Sequence, residues 1–171
     1  MFTIRKINIY KDCEKLFDLI SKSDEDLFPN QIKYFNVDEF QHWLINQMKG
    51  YFHELYVLEK QEKTSKIIGW ALSYDYRVYD GHCSFCIYSL EEIERTLWAT
   101  FIAELFRNYP LNKIFWKVTT TDKKRLELAT TLGFSKEMTL KEYKYENGIY
   151  RDVCVLSVSS EEYRKRGKDG I

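Results

Sequence analysis

The sequence predicts an α/β chain built on a mixed, mostly antiparallel sheet of about seven strands with helices on both faces. Three observations carry that expectation. Period-two and period-3.6 apolar runs alternate in the order β-α-α-β-β-β-α-β-α-β-β. Hairpin dipeptides stand at Asp80-Gly81 and Asn147-Gly148. Between them lies a strand–helix–strand crossover, which demands a parallel pair in an otherwise antiparallel sheet.

The elements follow in order. Phe2–Ile9 alternates as a first strand. Asp12–Ser21 places Cys13, Leu16, Phe17, Leu19 and Ile20 at helical spacing. Ser23–Lys33 is polar, holds Pro29 and reads as a loop. Asn36 caps a second helix with Glu39 as its capping-box partner, and Gly50 ends it. Strands over His53–Glu59, Lys66–Tyr76 and His82–Tyr88 form an antiparallel run. Ser89 is the expected N-cap of the strongest helix, which runs through Leu97, Trp98, Phe101, Ile102, Leu105 and Phe106 to Asn108-Tyr109-Pro110. Lys113–Thr119 is a strand. Asp122–Leu132 is a helix closed by Gly133 in the left-handed region, with Phe134 beyond. Lys136–Tyr145 and Ile149–Val158 complete the last hairpin.

Composition narrows the function classes. A chain of 171 residues fits one domain, taken as 1–160 with a basic tail over 161–171. Acidic and basic residues both number 26, which gives no field for a polyanion such as nucleic acid. The basic run Tyr163–Lys168 reads as a solvated end. Met1–Lys6 has no apolar signal core and no stretch is long enough to span a bilayer, so the expectation is a cytoplasmic protein with reduced cysteines. Aromatic side chains are abundant, 16% of the chain, which fits a ring-rich core or an aromatic-lined pocket.

Local sequence adds a family resemblance. Lys113–Val118, a following helix and Leu132-Gly133-Phe134 resemble the fifth strand, fourth helix and closing "lGF" of the GNAT acetyltransferase superfamily. Tyr143–Asp152 with Leu156-Ser157 resembles the ending of its ribosomal-protein and spermidine acetyltransferase branch. The resemblance covers nearly the whole chain. It implies the GNAT acyl-CoA N-acyltransferase fold, acetyl-CoA or another acyl-CoA as co-substrate, no metal, and a small-molecule or peptide amine as acceptor. Relatives often dimerise, so a homodimer is open.

The chemistry requires a hold on the CoA diphosphate, room for the pantetheine arm and proton transfer at amine and thiolate. The family's R-x-x-G-x-G/A phosphate loop is absent, for no glycine lies between Gly81 and Gly133. The connection looks short, and Glu91, Glu92 and Glu94 are expected in the first helical turn, where they would repel a diphosphate. The segment reads either as an ordinary acid-capped helix or as a rearranged phosphate site using Arg95. Cys86, Ile87, Tyr88, Arg95, Thr96 and Asp122 are the positions a retained cofactor would meet. Asp122 stands where relatives carry a pantetheine-contacting Asn. Ala129 replaces the Tyr that many use to protonate the thiolate.

Other positions are weaker candidates. Asp75, Asp80 and Tyr145 are candidate catalytic residues. Tyr74, Tyr76, Tyr143 and Tyr150 are candidate substrate-facing residues, set against the ordinary packing of tyrosines across a sheet. Cys83 and Cys86 have metal half-site spacing. They lack a second pair, and residues three apart on a strand diverge. Two readings of the whole follow: an acyl-CoA-dependent N-acyltransferase with an altered cofactor site, or a catalytically inactive binding or assembly module on the same fold.

Overall fold

The computed structural model describes residues 2–23, 27–29, 31, 36–62, 65–146 and 148–168, with backbone alone for 166–168. The elements are β1 (Phe2–Lys6), α1 (Ile9–Ser21), α2 (Val37–Gly50), β2 (Phe52–Lys60), β3 (Lys66–Arg77), β4 (His82–Ser89), α3 (Arg95–Asn108), β5 (Lys113–Thr119), α4 (Lys123–Thr131), β6 (Ser135–Glu146), β7 (Ile149–Ser159) and α5 (Ser160–Lys168). The strands form one seven-stranded sheet in the order β1-β2-β3-β4-β5-β7-β6. The β4–β5 pair is parallel, as the crossover demands, and the β1–β2, β2–β3, β5–β7 and β6–β7 pairs are antiparallel. No helix among the described residues is long and apolar enough to cross a membrane.

Contacts divide the chain into two compact units, Met1–Tyr74 with Ile87–Ile93, and Asp75–Cys86 with Glu94–Ile171. The first unit holds α1 and α2. Asn8, not a residue near Asp12, caps α1, accepting from the Lys11 amide at 3.3 Å. The first strand therefore stops at Lys6 rather than Ile9, and Ile9 opens the helix. Asn36 caps α2 as its sequence predicts, accepting from the Glu39 amide at 2.9 Å. Much of the predicted 23–33 loop lies outside the described residues, but Leu27 and Phe28 both donate their amides to Gln31 Oε1 at 2.9 Å. That turn seats the Phe28 ring on Trp70, centroids 4.3 Å apart and nearly parallel, beside Phe40, Trp43 and Phe52. Rings packed this way supply both area and directional contact.

A charged knot ties this unit's edge together. Arg5 donates to both carboxylate oxygens of Asp12 at 2.7 and 2.8 Å and to Glu59 at 2.6 Å. Asp12 also accepts from the Asn8 amide at 2.7 Å, so one buried carboxylate serves both the strand and the helix start. The hydrogen bond from Arg5 holds the Asp12 and Glu59 carboxyls below their usual range against the opposing effect of burial.

The second unit has its own aromatic core. Phe85 of β4 lies 5.9 Å from Phe101 of α3, 5.1 Å from Trp116 of β5 and 5.7 Å from Phe134. Gly133 ends α4 at φ 96°, where a side chain would be strained, and Phe134 donates its amide to the Ala129 carbonyl at 2.9 Å. The basic C-terminal run is not a solvated end over its described part. Ser159 and Glu162 exchange capping bonds at 2.9 and 3.2 Å to start α5. Tyr163 donates to the Ala99 carbonyl at 2.8 Å and packs its ring 5.4 Å from Phe106 of α3. One tyrosine, with an apolar body and a polar tip, thus docks a helix that charge counting assigns to solvent.

Two stability predictions follow from the first unit. Because the folded carboxyls of Asp12 and Glu59 titrate below their unfolded values, their contribution is full above the unfolded pKa and is lost as pH falls through the folded one. The melting temperature will therefore drop as pH falls below about 4. Asp12→Asn will cost about 2 kcal/mol at pH 7 and flatten that acid dependence, measured by thermal unfolding across pH. Gly69 of β3 sits where an added Cβ would overlap the Tyr88 carbonyl oxygen and press on Ser89. Gly69→Ala will cost about 1–3 kcal/mol in chemical denaturation, because backbone cannot yield as a side-chain tip can.

Candidate functional site

The second unit contains a break in the sheet. β4 pairs with β5 in register from His82–Lys113 to Phe85–Trp116, and among the described residues the ladder stops there. β5 continues through Lys117, Val118 and Thr119, which stay paired with Val155, Cys154 and Val153 of β7. On its other side this end of β5 carries backbone donors and acceptors without a strand partner. Such a run is suited to an extended chain rich in amides.

The start of α3 is the second part of the site, and here the sequence expectation needs correction. The helix begins at Arg95 with Glu94 as N-cap, not after Ser89. Ser89 remains in β4 because its hydroxyl turns back on its own loop, donating to the Glu91 carbonyl and accepting from the Glu91 amide. The Leu90 amide donates to the Ile68 carbonyl at 2.9 Å, and Ile93 is buried, so Leu90–Glu94 forms a bound connection rather than a helical turn. Glu91 is held by Lys60 at 2.7 Å, and α3 has no acidic residue in its first turn. The triply acidic turn inferred from sequence does not form.

Glu94 makes no side-chain cap bond. The Leu97 amide closes the first turn on the Glu94 carbonyl at 3.1 Å, and the Thr96 hydroxyl donates to the Glu94 carboxylate at 3.4 Å, so the Arg95 and Thr96 amides are the ones left without a side-chain cap at the positive end of the helix dipole. Arg95 and Thr96 are exposed at this end, and the Arg95 guanidinium has no ion-pair partner among the described residues. Glu94 remains at this end as the N-cap residue, and the segment supplies no glycine cradle.

The remaining candidates separate. Cys86 belongs to the second unit, just beyond the last β4–β5 pair. Ile87 and Tyr88 belong to the first, where Ile87 is buried and Tyr88 lies 6.3 Å from Trp70. Asp122 caps α4, accepting from the Arg125 amide at 3.0 Å and pairing with its guanidinium at 3.1 Å, so its carboxylate is already engaged. Ala129 is fully buried. Asp75 lies at φ 49° and pairs with Arg77 at 2.9 Å. Asp80 is exposed in the hairpin turn. Tyr76 packs edge-on to Tyr109 at 5.8 Å, and Tyr74 lies 5.4 Å from Tyr51. Tyr145 and Tyr150 face one another at 5.2 Å and are largely exposed. Tyr143 meets Lys117, whose Nζ donates to its hydroxyl at 3.2 Å. Sequence reasoning missed Lys117 and Lys60. Their partners, Tyr143 and Glu91, lie 26 and 31 residues away, a separation that no local pattern reports.

No family model matches the chain, and no curated protein sequence does. Solved structures do. A mutant form of the spermidine/spermine N-acetyltransferase SpeG from Vibrio cholerae matches at 22% identity and TM-score 0.79 over 97% of this chain and 99% of that one. A second SpeG mutant matches at 21% and TM-score 0.81 over 97% and 98%. The ribosomal-protein-S5-alanine acetyltransferase from Vibrio fischeri matches at 19% and TM-score 0.78 over 95% and 94%. The chain has the GNAT fold. At these identities the likeness establishes architecture, a mixed sheet in which β4 and β5 run parallel.

Within this GNAT fold the cysteines are free, and no group of three potential ligands gathers for a metal among the described residues. Burial pushes the Cys83 thiol up to about 12 and raises that of Cys86 as well. With Cys13 pushed up to about 11 by burial, these thiols are protonated at neutral pH. Alkylation of the native protein by iodoacetamide at pH 7.5 will be at least tenfold slower than that of the unfolded chain, read by mass spectrometry at Cys13, Cys83 and Cys86.

Proposed function

We propose that the chain is an N-acyltransferase that moves an acetyl or other acyl group from acyl-CoA to an amine, with a cofactor site that dispenses with the glycine loop. The observation that carries this reading is the start of α3, without a side-chain cap and beside Arg95, in the unit where the β4–β5 ladder ends before β5 does. The helix terminus and Arg95 supply positive charge for a diphosphate. The unpaired side of β5 beyond Trp116 supplies amide partners for an extended pantetheine arm. The solved structures that share the fold are acetyltransferases for spermidine or a ribosomal protein, which favours an amine acceptor.

A second reading, a non-catalytic module of the same fold, is favoured by Ala129 and Asp122. The first has no proton to give a departing thiolate, and the second is held by Arg125.

Thermal unfolding with acetyl-CoA tests the proposal. A ligand at a hundred times its dissociation constant adds about 2.7 kcal/mol, which for a chain of this size raises the midpoint by about 5–10 °C. Arg95→Glu will weaken acetyl-CoA binding about tenfold or more without lowering the unliganded midpoint, since Arg95 is exposed and has no ion-pair partner among the described residues. No shift at millimolar acetyl-CoA, propionyl-CoA or succinyl-CoA overturns the proposal. A shift without turnover on any amine selects the second reading.

A further inference from the structure

The sheet of the second unit has two faces, and strand register sorts their side chains. Ile114, Trp116 and Val118 of β5 lie on one face, and Trp116 meets Phe85, which in turn packs on Phe101 of α3. Phe115, Lys117 and Thr119 lie on the other, aligned with Ser157, Val155 and Val153 of β7. Arg151 shares that second face, two and four residues along β7 from Val153 and Val155, and is aligned with Lys144 of β6. Between them β6 departs from regular register. Glu142 takes a φ of 49°, and residues 141–143 bulge between the Leu140–Val153 and Lys144–Arg151 pairs. The bulge brings Tyr143 over Lys117, with Nζ 5.2 Å from the ring centroid and 3.2 Å from the hydroxyl.

Three groups on this face lack an acceptor. Lys117 has no carboxylate partner among the described residues, and only one of its three N–H groups is used, by the Tyr143 oxygen. That bond occupies the phenol oxygen and leaves the Tyr143 O–H free to donate elsewhere. Arg151 is half-buried, has no ion pair among the described residues, and its Nε is buried without a hydrogen-bond partner. A buried donor left unmade is costly, so this arrangement favours a bound acceptor. The nearby acids do not supply one. Glu146 is held by Lys144 at 2.8 Å, and Asp152 by Lys141 at 2.8 Å and the Glu142 amide at 2.9 Å.

We propose that Lys117, Tyr143 and Arg151 form a recognition site for a carboxylate, so that the acceptor is an amine that also carries a carboxylate, an amino acid or short peptide, and not a polyamine. The word "acceptor" rests on the acyltransferase reading; the carboxylate site does not. Lys117 is the first residue of β5 past the last pair with β4, which sets the site beside the strand parting. It faces away from the layer containing α3, so the start of α3 and these donors do not serve the same anion. An exposed lysine and a half-buried arginine would repel a polyamine, whereas charge-assisted bonds to a carboxylate contribute on the order of 1.5–3 kcal/mol each.

Isothermal titration with three probes tests the site: glycylglycine, its C-terminal amide, and spermidine. Glycylglycine will bind at least about tenfold more tightly than the amide, a difference of about 1.4 kcal/mol, and more tightly than spermidine. Lys117→Gln and Tyr143→Phe will each remove most of that preference and leave the weak binding of the amide unchanged. Both positions are exposed, so these variants keep their melting temperature; Arg151→Gln is the third variant. Equal binding of glycylglycine and its amide, a preference for spermidine, or a preference that survives Lys117→Gln overturns the proposal. Inorganic phosphate binding more tightly than glycylglycine also overturns it. An absent acetyl-CoA shift removes the acyltransferase reading alone, while an acetyl-CoA shift with no carboxylate preference removes this one alone.

Discussion

The second unit depends on one contact, the parallel pairing of Phe85 with Trp116. The two rings meet edge to face at 5.1 Å and pack with Phe101 and Phe134 into a fully buried cluster. That cluster fixes the last rung of the β4–β5 ladder. β5 does not fray beyond it, because β7 holds its other side through Val153. The last three residues of β5 thus keep one side without a strand partner among the described residues while β7 holds the other. A site built on a packed strand is better positioned than one built on a loop.

The start of α3 shows how a bound loop can alter an electrostatic argument. Three glutamates within four residues suggest a terminus that repels anions. In the fold, the Ser89 hydroxyl, the Ile68 carbonyl, buried Ile93 and the ammonium of Lys60 hold the acidic segment as a connection ahead of the helix. The dipole effect reaches only about one turn, so Glu91, paired with Lys60, stands outside its range, while Glu94 remains at the helix start as the N-cap residue. The cation that does fall in the first turn, Arg95, lies exposed and has no ion-pair partner among the described residues.

The bulge in β6 plays a corresponding part on the other side of the sheet. A regular strand would point Tyr143 according to its parity alone. The extra residues between Leu140 and Lys144 instead lay it over Lys117. The same bulge is anchored by Asp152, which takes the Glu142 amide and Lys141, and so removes the nearest carboxylate from competition. The device that orients the phenol also leaves Lys117 and Arg151 without acid partners among the described residues.

Sequence alone determined the elements whose causes are local. Asn36 and Glu39, Gly133 with Phe134, the Gly81 and Gly148 turns and the span of β5 needed only neighbouring residues, since caps, left-handed backbone and alternation act within a few positions. The mixed character of the sheet followed from the strand–helix–strand crossover between hairpin-linked strands. Tertiary structure alone decided what lay between distant segments. Lys60 holds Glu91 ahead of the helix, Arg5 of β1 reaches Glu59 of β2, Tyr163 docks the basic tail on α3, and Lys117 finds Tyr143. Each of these is an interaction between side chains whose identity is printed in the chain but whose meeting depends on the completed sheet, and periodicity carries no record of such encounters.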